Sequence, residues 1–283
     1  MSCKNGSLIV RWGIGVGLLA AGCAPTGEFM PKPDLVPRET PKRFDDRDWA
    51  LVLRENVRDD LVDYDHLARH REALDRFIAL VSVVGPEATP GLFPDKSSRL
   101  AYWINLYNAQ VLNIVVALHP VKSLYEITRP DVEFGYVFKA DRKRRTLGET
   151  RRRLLEESGG DVRIHFALCA GAMGEPSLRQ QPYRGASLDR DLAATTAAAM
   201  KNPRIVNIVH EEKQLRIWLR MMSNRQAFIK YHERHLRTRG ATLLSVLLEF
   251  ADDKQRAILN TAVGYKFRTI PLDRQLNQWQ PTP

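Results

Sequence analysis

Cys169 is the residue of this chain best suited to nucleophilic chemistry, and His165 stands four positions before it in "RIHFALCAGAMGEPSLR". A cysteine attacks as its thiolate. It therefore needs a base within hydrogen-bond reach and a third group to orient that base. In a helix, side chains four apart meet, with Cβ atoms about 5–6 Å apart. On a strand the same spacing separates them by about 13 Å. The segment reads equally well as helix or strand, so His165 serves Cys169 only in the first case. Otherwise the base comes from elsewhere, with His210, His232 and His235 available, and Glu175 and Asp273 are the acidic partners. Against this chemistry stands the ordinary habit of unpaired cysteine, which is among the most buried residue types.

Other chemistries find less support. His66 and His70, and His232 and His235, have helical spacing, but neither pair carries the His-Glu-x-x-His arrangement of zinc hydrolases. Both pairs read as solvated helix faces, and no metal or cofactor is expected. There is no phosphate-cradling glycine loop and no Gly-x-Ser-x-Gly elbow.

The elements that must position the thiol are mostly helical. Helices are expected from Asp46 to about Val57, from about Ala68 to Val84, and from Ser97 to Leu118. The last is the strongest, with Ser97 as N-cap and His119-Pro120 as its stop. Asn105 and Asn108 share a face near its apolar stripe. A buried amide must find partners or cost about 1–3 kcal/mol, so this pair reads as a hydrogen-bond clamp, with support of a site loop as the other possibility. Residues 134–147 and 204–220 read as hairpins. Further helices are expected over 148–158, from Ser187 to Lys201, over 223–236 and over 241–259, before a short strand near Tyr265 to Ile270. Few strands among many helices make the class α+β, a mostly helical single domain over residues 46–283 with a small antiparallel sheet.

The ends speak to location. Lys4 and Arg11 precede or flank "WGIGVGLLAAG", which is too short to span a bilayer as a stable helix and exits through small residues into Cys23. Residues 1–22 thus read as a lipoprotein signal, with lipid attached at Cys23, and the absence of Asp after the cysteine points to the outer membrane facing the periplasm. More than one acyl chain would anchor firmly. Residues 23–45 are Pro-rich and read as a tether. Cys169 is then the one free thiol in an oxidising compartment, and disulfides do not hold the fold. The formal charge of +10 falls to +8 without Lys4 and Arg11. The runs "RKRR" at 142–145 and "RRR" at 151–153 read as solvated faces. Nucleic acid is not an expected partner, whereas weak attraction to anionic headgroups or cell-wall polymers is.

"AYWINLYNAQVLNIVVALHP", "RIHFALCAGAMGEPSLRQQPYRG", "SLDRDL" and "IPLDRQLN", in this order, resemble the family called domain of unknown function 547, over about residues 48 to 278. The Trp-Ile-Asn-x-Tyr-Asn block is the most specific part. The resemblance implies a cysteine-peptidase-like site and a papain- or transglutaminase-like fold. It also ranks Asp273, in the closing Asp-x-x-Leu-Asn pattern, above Glu175 as orienter. The chain departs from the family where many bacterial members carry cysteines: Ala170 stands at the first position, and Glu175 precedes Pro176 at the second. Cys169 lies one place early. On a strand such a slip moves a side chain to the other face, and on a helix it turns it by about 100°.

The expectation is therefore a lipid-anchored periplasmic binding or interaction module with a peptide or cell-wall ligand. The alternative is a cysteine-dependent envelope hydrolase or acyltransferase, with Cys169 as nucleophile, His165 as base and Asp273 as orienter.

Overall fold

The computed structural model describes residues 27–123 and 135–281. The expected signal segment and its Cys23 lie outside these residues. The chain opens with β1 (Gly27–Phe29), followed by α1 (Arg47–Asn56), β2 (Val57–Arg58), β3 (Leu61–Val62), α2 (Tyr64–Arg69) and α3 (Glu72–Val83). The long α4 (Lys96–Leu118) comes next, then β4 (Tyr136–Ala140), β5 (Lys143–Arg145), α5 (Leu147–Ser158), the short α6 (Ile164–Ala167) and α7 (Leu188–Lys201). The last part holds β6 (Val206–Val209), β7 (Gln214–Ile217), α8 (Leu219–Ser223), α9 (Arg225–Leu236), α10 (Leu243–Phe250), α11 (Asp253–Asn260) and β8 (Lys266–Thr269).

α4 is the hub. From Leu100 to Val116 it is buried on every side, and α2, α3, α5, α7 and β4 pack around it. Asp95, not Ser97, caps it: Asp95 is extended, and its carboxylate accepts from the Ser98 N–H. α1 buries Trp49, Val52, Leu53 and Asn56, a helical stripe, against this first core. α5 begins in a capping box between Thr146 and Glu149 and ends at Gly159, whose φ of 71° suits glycine. A second core lies under β6, β7 and β8, with Phe166, Met200, Trp218, Met221, Phe228 and Leu247 among its members.

Two expected helices are each divided in two, the second of them by a carboxylate that caps a new start. The helix expected over 68–84 is the end of α2 plus α3: the backbone departs from helix at His70, and α3 restarts after Arg71 with no side-chain cap, while Asp63 caps the earlier start of α2 through the His66 N–H. The helix expected over 241–259 is α10 plus α11, divided where Asp252 turns extended and caps α11. Ser187 precedes α7 as expected, but its hydroxyl donates to the Asp191 carboxylate instead of accepting from the backbone.

The class is α+β, but the single antiparallel sheet is corrected to three small sheets among the described residues, two of them mixed. β4 and β5 form the expected basic hairpin, and β1 adds to β4 in parallel. β6 and β7 form the second hairpin, and β8 adds to β7 in parallel. β2 and β3 form a two-stranded ladder. The tether is corrected too. From Gly27 onward it belongs to the fold, because β1 pairs with β4, Lys32 reaches Asp75 at 2.6 Å, and Phe44 packs 5.1 Å from Phe93 and 5.6 Å from Tyr102. Aromatic burial and strand pairing outweigh the proline content there. Among the described residues no helix is long and apolar enough to cross a membrane.

Candidate functional site

The segment around Cys169 changes conformation within its own length. α6 ends at Ala167, and Leu168 is already extended, with φ −103° and ψ 106°. The i, i+4 relation on which a His165–Cys169 pair depends is lost at that point. α6 also straddles the two cores. Ile164 and Ala167 belong to the first, as does Cys169, while Phe166 belongs to the second. His165 stacks on Phe228 of the second core, with ring centroids 5.5 Å apart, and its Nδ1 is buried with no hydrogen-bond partner among the described residues. Burial pushes its pKa down to about 4. The structure therefore places base and thiol in different surroundings and draws no hydrogen bond between them.

Cys169 is 2% exposed. Its backbone N–H donates to Asn108 Oδ1 at 2.9 Å, and Asn108 Nδ2 donates to the Ala167 carbonyl at 2.9 Å. One side-chain amide thus serves the extended stretch as a neighbouring strand would, bonding on both sides of Leu168. Asn105 does the same for Tyr183, accepting from its N–H at 3.0 Å and donating to its carbonyl at 2.8 Å, while also accepting from Trp49 Nε1. The clamp and the loop support are the same interaction: α4 holds both loops through its two asparagines.

The thiol's other neighbours come from distant parts of the chain. Asn277 Nδ2 donates to Sγ at 3.5 Å, and Tyr64 Oη donates to Asn277 Oδ1 at 2.7 Å. The closing segment is stitched in place on both sides. The Val62 N–H donates to the Asn277 carbonyl, the Asn277 N–H to the Gly171 carbonyl, and the Met173 N–H to the Gln275 carbonyl. The approach is close: a Cβ on Gly174 would lie 2.7 Å from the Asp273 nitrogen, so glycine alone fits. Burial pushes the Cys169 thiol up to about 11, with the Glu175 carboxylate adding to the rise and the Gly171 N–H and Asn277 amide opposing it. Tyr64 and Asn277 were missed from sequence. They lie 213 positions apart, and nothing local marks their meeting, although Asn277 stands in the quoted "IPLDRQLN".

The remaining expected site residues are placed as follows. Glu175 is buried, 3.6 Å from the Arg220 guanidinium. Asp273 is exposed, and its carboxylate accepts from the Gln275 N–H two residues on, which is turn geometry. It is not brought to His165. His66, on α2, pairs with Asn56 at the end of α1. His232 and His235 both bond Glu249, and His232 is buried, so that face of α9 is not simply solvated. Among the described residues no group of three or more His, Cys, Asp or Glu is placed to hold a metal ion.

These surroundings favour the neutral thiol. We expect alkylation of Cys169, followed on its own peptide by mass spectrometry, to be slow at pH 7–9 in the folded chain and fast in denaturant. Rapid labelling with an apparent pKa well below about 8.5 would mean an activated thiolate.

A cleft of about 620 Å³ opens beside the thiol loop, between the two cores. Phe166, Leu178 and Ile205 give it apolar walls, and Arg179, Gln180 and Asp60 line it with polar groups. Arg179 is held by the Asp191 carboxylate at 3.4 Å and lies over the Tyr183 ring. Cys169 is not among the lining residues.

No curated protein and no solved structure matches this chain. The resemblance read over residues 48 to 278 is matched over a shorter span that holds α4 with both asparagines, the Cys169 loop and most of α7, and leaves out Tyr64 and Asn277. Over residues 93–198 the chain is similar to the family described as "Protein of unknown function, DUF547".

Proposed function

We propose that this chain is a lipid-anchored protein of the bacterial cell envelope, held through Cys23 at the outer membrane and facing the periplasm, whose domain binds a peptide or cell-wall ligand without turning it over. The observation that carries the reading is the cleft. Its volume lies within the range of small-molecule sites, about 300–1,000 Å³, and the loop that continues from the thiol, Pro176 to Gln181, forms one wall. A zwitterionic peptide suits a lining that holds both a guanidinium, Arg179, and the carboxylates of Asp59 and Asp60. Three facts speak against catalysis by the thiol: its burial, its raised pKa, and the absence of any described base in contact with it. A papain- or transglutaminase-related ancestry is compatible with this reading, the pocket being kept after the nucleophile position became Ala170. The anchor rests on the signal-like segment that ends at Cys23.

Soluble peptidoglycan peptides, titrated calorimetrically, test the cleft. Ala198 lines it and is exposed, so Ala198→Trp fills it without removing any core side chain. Saturable binding by the parent chain, lost in Ala198→Trp at unchanged melting temperature, is the expected result. No saturable binding by the parent chain overturns the cleft as the ligand site. Thiol-dependent hydrolysis of the same peptides would favour the cysteine hydrolase or acyltransferase instead.

A further inference from the structure

The face formed by β1, β4 and the residues just after β1 carries cations that the fold itself leaves uncompensated. Lys139 and Arg144 are opposite one another in the β4–β5 ladder and so share a face. Arg144 is paired with Glu28 of β1. Beside them a groove of about 340 Å³ is lined by Arg38, Glu39, Thr40, Lys139 and Arg142, with Val83 and Val84 at its back. Among the described residues Arg38, Lys139 and Arg142 have no carboxylate within ion-pair distance, and Glu39 alone of the lining residues is acidic. The nearest buried acid, Asp141, is turned inward, accepting from the Glu87 and Ala88 N–H groups at 2.8 and 2.7 Å. Met30, directly after β1, adds an apolar side chain that is 42% exposed.

The sheet that carries this face is where the described chain enters the fold. Gly27 opens β1, four residues after Cys23. Four residues reach at most about 14 Å even when fully extended. A lipid on Cys23 therefore keeps the β1–β4–β5 sheet within that distance of the bilayer surface plus its own width, where a long tether would have let the domain roam. At such a distance each basic side chain beside an anionic surface favours contact by about fivefold.

We propose that the face bearing Arg38, Lys139, Arg142 and Met30 docks on the anionic surface of the membrane that holds the anchor, fixing the domain's orientation and turning the rest of the molecule toward the periplasm. The proposal rests on the anchor reading and extends it from attachment to orientation.

The test uses the full chain, carrying its own anchor, in vesicles of phosphatidylcholine alone or mixed with phosphatidylglycerol. Acetylation of individual lysines is followed by mass spectrometry. Lys139 is expected to react several-fold more slowly in the anionic vesicles, while Lys254 and Lys266, on α11 and β8, react equally in both. High salt restores Lys139, as screening requires. The double variant Arg38→Glu, Arg142→Glu also restores it while the protein still sediments with the vesicles. Protein that sediments with both vesicle types but shows equal Lys139 reactivity overturns the docked face and leaves the anchor standing. Protein that stays in the supernatant with both overturns the anchor and the docked face together.

Discussion

Asn108→Ala lowers the unfolding free energy by about 4 kcal/mol, one of the two largest losses expected for any single substitution considered for this chain. Two buried backbone groups lose their partner at once, the Cys169 N–H and the Ala167 carbonyl. Each unsatisfied group costs about 1–3 kcal/mol, and the missing side-chain volume in a well-packed helix face adds to it. Neither group finds another partner in the backbone, because the chain there has left α6 and joined no sheet. Truncation of an exposed asparagine, Asn260→Ala, provides the comparison and stays within about 0.5 kcal/mol. Urea unfolding followed by circular dichroism reads both. A second readout is local: the Cys169 amide exchanges faster in Asn108→Ala than the global loss alone requires, and alkylation of the thiol speeds up with it. A loss under about 1 kcal/mol would mean that water enters and replaces the amide. That would remove the claim that α4 positions the thiol loop.

That pair of asparagines marks where the sequence was readable and where it stopped. The apolar run of α4 and the amides on it were visible as a helix with two polar residues on a face that had to be buried. Which backbone they would meet was not visible, since Tyr183 and Cys169 are 78 and 61 positions away from their amides. Local signals fared well where a single interaction decides an element: the two hairpins and the span of α5, expected over 148–158. They fared poorly where competing starts exist. Asp252 offers a helix N-terminus inside a run with helical periodicity, and its carboxylate's bond to a free N–H favours a break over continuity, while Asp63 starts α2 ahead of the expected run and α3 restarts after His70. The parallel additions of β1 to β4 and β8 to β7 carry no local mark, because the partners are chosen by packing across the fold. The His165–Cys169 spacing misled for a related reason. A helical turn followed at once by extended chain satisfies neither spacing rule, and the two cores then divide the side chains between them. The residue that does touch the sulfur, Asn277, enters from the far end of the chain.

His165 yields the second large effect, and it appears with pH. Its folded pKa is about 4, against an ordinary value of 6.5, because the ring is buried against Phe228 with no group to share its proton. A histidine held neutral contributes stability that is fully present above about pH 6.5. As pH falls from there toward 4, the unfolded chain takes up a proton that the folded chain refuses, and the contribution is lost. A shift of this size corresponds to about 3 kcal/mol in all, of which about 2.5 kcal/mol is gone by pH 4.5. The acids held below their ordinary values, Asp75, Asp191 and Glu87 among them, lose their contributions as pH falls through the carboxylate range, and those losses are common to the two chains compared. Urea titrations at pH 7 and pH 4.5 on the parent chain and on His165→Phe separate the effect from the other histidines, which are common to both. Phenylalanine keeps the stack on Phe228 and removes the titration, so the variant's loss between the two pH values is smaller by about 2.5 kcal/mol. Equal losses would show that the ring gains its proton in the folded chain. His165 would then have a partner or solvent access at acid pH, and its candidacy as a base would reopen. Unequal losses of the expected sign leave it as a core residue whose protonation is incompatible with the packing between α6 and α9, which is why it serves the fold of the thiol loop and not the thiol.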